Sequence, residues 1–106
     1  MRDDAITDEL ARAVFRRDQY ECVAPRLGGS SMDCWGVNGI EHVKAQPRMG
    51  KRAEARLDRL VTLCEGHREP GMKAGRVWCT TKDNRDAMRR YLKEWADASG
   101  YLPADV

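Results

Sequence analysis

"RLVTLCEGH", residues 59–67, decides how the rest of the chain is read. Its first half is a short β-leaning run, Leu60, Val61, Thr62 and Leu63. Its second half places Cys64 and His67 with two residues between them, a spacing that lets both side chains reach one ion from a tight turn. A strand running straight into a pair of metal ligands is expected, with "CEGHRE" opening a short helix that Pro70-Gly71 stops.

Working outward, "VNGIEHV", residues 37–43, is a second β-leaning run. About fifteen residues separate the two runs, more than a tight hairpin needs, which marks a candidate functional loop. The segment 44–59 carries Lys44, Arg48, Lys51, Arg52, Arg56 and Arg59 against Glu54 and Asp58, a local net charge of +4. The net charge of the whole chain is only +2, so the distribution rather than the total suggests an anionic partner.

Before the first strand, residues 22–36 hold Pro25, Gly28, Gly29, Ser30 and Ser31 and read as a loop. "TDELARAVFRR", residues 7–17, reads as a helix: Thr7 caps it, Asp8 and Glu9 suit its positive end, and Arg16 and Arg17 suit its negative end. Leu10, Val14 and Phe15 form its apolar stripe. After the second strand, residues 71–82 read as irregular, and a last helix runs from Asn84 to Ala98. Asp83 is its expected cap and Gly100 its stop, with Met88, Tyr91, Leu92 and Trp95 on one face. The order of elements predicts a small α+β domain spanning residues 1–106.

The chain is poor in core material. Leu, Ile, Val and Phe together number 17 of 106 residues, so a covalent or metal staple is expected. No apolar run approaches the length of a membrane span, and "MRDDAITDEL" lacks the apolar stretch of a signal peptide. A cytoplasmic location is therefore expected, where thiols stay reduced and four cysteines suggest metal before disulfides. Cys22 and Cys34 have eleven residues between them across the Gly-containing loop, which can fold back. With Cys64 and His67 they would give a tetrahedral structural zinc site of three thiolates and one imidazole. Cys79 is a spare thiol that could replace His67 or Cys22, or act as a small buried hydrophobe. Trp35, beside Cys34, is expected to cap the metal loop, and Trp78 and Trp95 to join the core. Gly71 and Gly75 lack phosphate-loop spacing and take no nucleotide role.

Taken together, "RRDQYEC", a second Cys before "GIEHV", "RLVTLC" with a further ligand after two residues, and "NRDAMRRYL" resemble the HNH, or ββα-metal, endonucleases. The resemblance covers roughly residues 12–92 and is to the zinc-stabilised endonuclease VII type and to small HNH proteins of phages. It implies a zinc-stabilised ββα-metal domain flanked by N- and C-terminal helices. It also implies a metal-dependent DNA endonuclease or nickase, phage-encoded, working in the host cytoplasm and in some relatives as a homodimer. By the resemblance, Glu41 holds a catalytic Mg²⁺ or Mn²⁺, and His42 is the general base that activates water. The two side chains would diverge toward metal and water at an irregular strand end. Lys44, Arg48, Lys51, Arg52 and Arg59 would contact the DNA backbone.

The chain departs from the family pattern at two positions. Arg59 stands where Asn or His usually precedes the second strand, and Arg68 stands where a metal ligand usually follows the zinc pair. A guanidinium cannot bind a cation. Three accommodations are open. His67 could serve the catalytic ion while Cys79 completes a four-Cys zinc site. Asn84 could swing in as a ligand. Or the domain binds DNA or a host protein without cutting. A plain zinc-ribbon-like interaction domain is a third reading, with no divalent-ion dependence.

Overall fold

A computed structural model describes residues 6–43, 55–68 and 77–102. The fold is α+β: helix α1 (Asp8–Arg17), strand β1 (Asn38–His42), strand β2 (Leu60–Cys64), a one-turn helix α2 (Glu65–Arg68) and helix α3 (Lys82–Ser99). Short 3₁₀ turns at Ala24–Leu27, Ser31–Asp33, Leu57–Arg59 and Trp78–Thr80 join them. The two strands pair antiparallel, Gly39 opposite Leu63 and Glu41 opposite Val61. The expected stop at Pro70-Gly71 lies outside the described residues. No described helix is long and apolar enough to cross a membrane.

Local sequence explains the helix ends. Thr7 Oγ1 accepts the Leu10 amide at 3.1 Å, so α1 starts where its cap predicts. Gly100, at φ 69°, terminates α3 in the left-handed conformation. The cap expected at Asp83 is instead Thr81, which keeps extended dihedrals and accepts the Asn84 amide at 3.4 Å. The helix begins two residues earlier than its apolar face indicates, so Asp83 falls inside the first turn, where its charge suits the dipole.

β2 is the centre of the molecule, buried at all five positions. That is why "LVTLC" lacks the polar–apolar alternation of a half-exposed strand, with Thr62 its one polar side chain. Its two faces feed two cores. Val61 and Leu63 pack with Val23, Val43, Met88 and Leu92, while Leu60 packs with Leu10, Val14 and Leu57. Trp95 closes over the second core with Tyr101, their rings 5.1 Å apart, and Trp78 packs against the first, so both tryptophans take the expected core positions.

One edge of β2 pairs with β1; the other is satisfied by groups from α1 and the segment after it. Asp18 Oδ2 accepts the Thr62 amide at 2.8 Å, Val23 donates its amide to the Thr62 carbonyl at 3.0 Å, and Arg17 donates to the Leu60 carbonyl. Arg17 and Asp18 form a buried ion pair, 2.8 Å between Nε and Oδ1, with the guanidinium 5.1 Å from the centre of the Trp95 ring. Tyr91 of α3 donates its hydroxyl to Asp18 Oδ1 at 2.7 Å. The sequence reading gave Arg17 to the dipole of α1. The structure turns it inward, because its five donors answer carbonyls that β1 cannot reach. Gln19 and Tyr20 then adopt left-handed φ angles of 59° and 60°, reversing the chain so that Val23 returns alongside β2.

Burial, the largest influence on Asp18, pushes its carboxyl up, but the bonds from Arg17, Tyr91 and Thr62 outweigh it and hold it below the usual value. A depressed carboxyl contributes stability that is present above its unfolded pKa of about 3.9 and is lost as pH falls through the lower folded value. Thermal or urea melts should therefore show an acid loss of stability below about pH 4. Asp18→Asn should cost about 3–5 kcal/mol at neutral pH, because Arg17 is left buried without its counter-charge. It should also remove Asp18's part of the acid dependence.

Candidate metal centre and the flanking hairpin

Where β2 ends, α2 begins without a linking residue, so Cys64 at the end of the strand and His67 in the turn of α2 lie three positions apart. The Cys22 and Cys34 segments fold onto that turn. The Sγ atoms of Cys22, Cys34 and Cys64 lie 3.6, 3.5 and 3.2 Å from His67 Nδ1, and the four donor atoms are all within 4.8 Å of one another. A tetrahedral ion with metal–sulfur and metal–nitrogen bonds of about 2.3 and 2.0 Å sets sulfur–nitrogen separations at roughly 3.5 Å and sulfur–sulfur separations at roughly 3.8 Å. The donor set therefore fits a metal ion, and Cys22, Cys34, Cys64 and His67 could hold a structural one.

The surroundings pull the three sulfurs in opposite directions. The Ala24 and Cys64 amides hydrogen-bond to the Cys22 sulfur, and those of Trp35 and His67 to the Cys64 sulfur. Burial, the largest influence on each, pushes all three thiols up. For Cys34, with Cys64 and Cys22 adding to the effect, the value reaches about 12. Cys64 alone ends low, at about 6, because hydrogen bonds from His67 and from those amides outweigh burial. A dication among three crowded sulfurs would stabilise all of them as thiolates.

Two glycines let the loop close. A Cβ on Gly66 would lie 1.9 Å from the Asp33 carbonyl oxygen and 2.6 Å from the Trp35 ring. Gly36 has φ 74°, and a Cβ there would meet the Glu65 carboxylate at 2.2 Å. Only hydrogen at residue 66 allows the Cys34 segment to lie flat on α2, where Trp35 accepts the Gly66 amide at 3.2 Å. Trp35 thus covers the turn between the ligands, as expected, although its ring is half exposed. An open cleft of about 410 Å³, lined by Tyr20, Arg26, Trp35 and Asn38, reaches the three cysteines from outside. The sequence reading passed over Gly66 and Gly36. Their signal was available, since a glycine between two ligands leaves room for a crossing chain.

Cys79 is not part of the cluster. Its thiol lies 3.8 Å from the Arg68 carbonyl, inside the first core, and is pushed up to about 11 by burial first and the Glu41 charge second. Of the alternatives for the fourth ligand, the geometry selects His67, which is buried and meets Trp78 edge-on at 5.6 Å. Asn84 is engaged elsewhere: its amide donates to the Trp78 carbonyl at 2.9 Å.

Glu41 and His42 are both half-buried in β1. The ladder is regular through His42, which pairs with Leu60, and Val43 continues it by donating to the Arg59 carbonyl at 2.7 Å. The expected irregular strand end is therefore not found, and strand alternation directs the two side chains to opposite faces. Glu41 shares a face with Gly39 and Val43, toward Cys79; His42 shares the other with Ile40. Arg68 lies on the Gly39 stretch of β1, so close that a Cβ on Gly39 would be 2.7 Å from its guanidinium carbon. Arg59, half-buried, ends the turn that leads into β2. Lys44, Arg48, Lys51 and Arg52 lie outside the described residues. No family profile, curated protein or solved structure matches this chain.

Gly66→Ala should cost at least 1–3 kcal/mol, since the obstructing Asp33 atom is backbone and cannot rotate away. Melting curves and metal content measured together should fall together, because the same displacement carries Cys34 away from His67.

Proposed function

We propose that the chain is a zinc-stapled HNH-type domain that acts on DNA. The observation that carries this reading is the Cys22, Cys34, Cys64 and His67 cluster at the foot of the hairpin that bears Glu41 and His42. Three thiolates and an imidazole in a closed tetrahedral set suit Zn²⁺ better than Mg²⁺ or Ca²⁺, which prefer oxygen. The staple makes up for a core short of large aliphatics. In the cutting form of this reading, His42 takes the proton from the attacking water. A divalent ion on Glu41 would supply charge stabilisation at the phosphodiester. The described residues do not complete a site for that ion: the one group of three or more His, Cys, Asp or Glu donors among them is the zinc set.

Arg68 favours a second reading. Its guanidinium lies against β1 near Gly39, on the face to which Glu41 belongs, where it would repel a second cation. On that reading the domain binds DNA, or a host protein, without cutting, and Glu41 balances Arg68.

Protein purified without added metal should carry one Zn²⁺ per chain by elemental analysis, and chelation should abolish cooperative unfolding. If the domain cuts, Mg²⁺ or Mn²⁺ should elicit nicking or cleavage of duplex, nicked or branched DNA. His42→Ala should then lower the rate about 10²–10⁴-fold while retaining its zinc. Equal cutting by wild type and His42→Ala assigns the activity to a contaminant. Binding without cutting on every substrate supports the second reading.

A further inference from the structure

A second surface of the molecule carries a pattern of its own. An open groove of about 490 Å³ lies between the turn Leu57–Arg59 and the middle of α3. Among the described residues, Arg56, Arg59, Arg89 and Lys93 line it, with the carboxylates Asp58 and Asp97. Its floor is apolar where Val43 and Leu92 come through from the first core. Val43 directly follows Glu41-His42, so the groove starts where β1 ends.

The acids there are already engaged. Asp58 accepts two bonds from Arg56, at 2.9 and 2.6 Å, so these two charges offset each other and the groove's cationic character rests on Arg59, Arg89 and Lys93. Lys93 pairs with Asp97 at 2.8 Å, but both side chains are more than two-thirds exposed, and such a pair is weak and screened. Arg89 pairs with Asp86 at 2.8 Å, and Asp86 is shared with Lys82. A phosphate oxygen can compete for Lys93 at little cost, because Asp97 stays in water, and Asp86 keeps Lys82 as a partner when Arg89 turns to phosphate. Arg89 and Lys93 stand four residues apart on one helical face, about 6 Å along the axis. They form a row beside an open trough, not a cage around one small anion.

We propose that this groove is a track for the phosphodiester backbone of duplex DNA, with Arg89 and Lys93 of α3 and Arg59 beside β2 as its phosphate contacts. The inference rests on the reading of the chain as a DNA-acting domain and extends the DNA-contacting surface to α3, which the sequence reading left out. It requires no cutting. Such contacts fix position along the backbone and carry no base specificity.

The test is fluorescence anisotropy of the full-length, zinc-loaded protein with labelled duplexes of unrelated sequence, across a series of salt concentrations. The Arg89→Gln/Lys93→Gln double variant removes both charges and keeps unbranched polar side chains with good helix preference. It should bind all duplexes more weakly and lower the log–log salt slope by about two units, one per phosphate contact. Asp97→Asn releases Lys93 and should bind more tightly. Matching melting temperature and zinc content show that each variant is folded; if the double variant fails that check, Asp97→Asn decides. DNA binding with unchanged slope and affinity in both variants would overturn the groove while leaving the DNA-acting reading in place. No DNA binding by wild type would overturn both.

Discussion

The structure depends on how β2 satisfies its outer edge. The strand is buried on both faces and, among the described residues, has a partner strand on one side only. An unpaired edge in that position would leave amides and carbonyls without water or protein partners, a cost the small cores could not offset. Asp18 and Val23 take up the Thr62 amide and carbonyl, and Arg17 takes the Leu60 carbonyl. Because Asp18 also accepts the Tyr91 hydroxyl, one carboxylate ties the end of α1, the central strand and α3 together. The same arrangement delivers the chain to Cys22, one residue before Val23.

The metal centre follows from that placement. Cys64 is fixed by β2, His67 by the turn of α2, and Cys22 by the segment paired with the β2 edge. Only Cys34 comes from a loop without strand contacts of its own, and Gly66 lets that loop rest on α2. A metal here would cross-link three segments of a chain poor in large aliphatics, the use to which a closed site of thiolates and imidazole is suited.

The hairpin next to this centre carries two opposing signals. Glu41 and His42 stand in the order the HNH resemblance requires. Yet the regular ladder sends them to opposite faces, and Arg68 reaches the face that Glu41 shares with Gly39. A carboxylate balanced by a guanidinium is a stable surface feature; a carboxylate sharing a divalent ion is a reactive one.

By itself the sequence determined the elements and the ligand types. Thr7 and Gly100 mark helix ends through groups adjacent in the chain, and "LVTLC" is legible as a strand by its β-leaning residues, though its burial on both faces is not. Cys64 and His67 are legible as a pair because their spacing is local. Tertiary structure alone decided the rest, since it turns on groups far apart in sequence. It chose His67 over Cys79 by bringing the Cys22 and Cys34 sulfurs to its Nδ1. It drew Arg17 and Asp18 inward, because the carbonyls and amide they answer lie about forty residues away, on a strand edge that no local pattern reveals. It set Arg89 and Lys93 beside Arg59 because α3 packs across the turn that leads into β2.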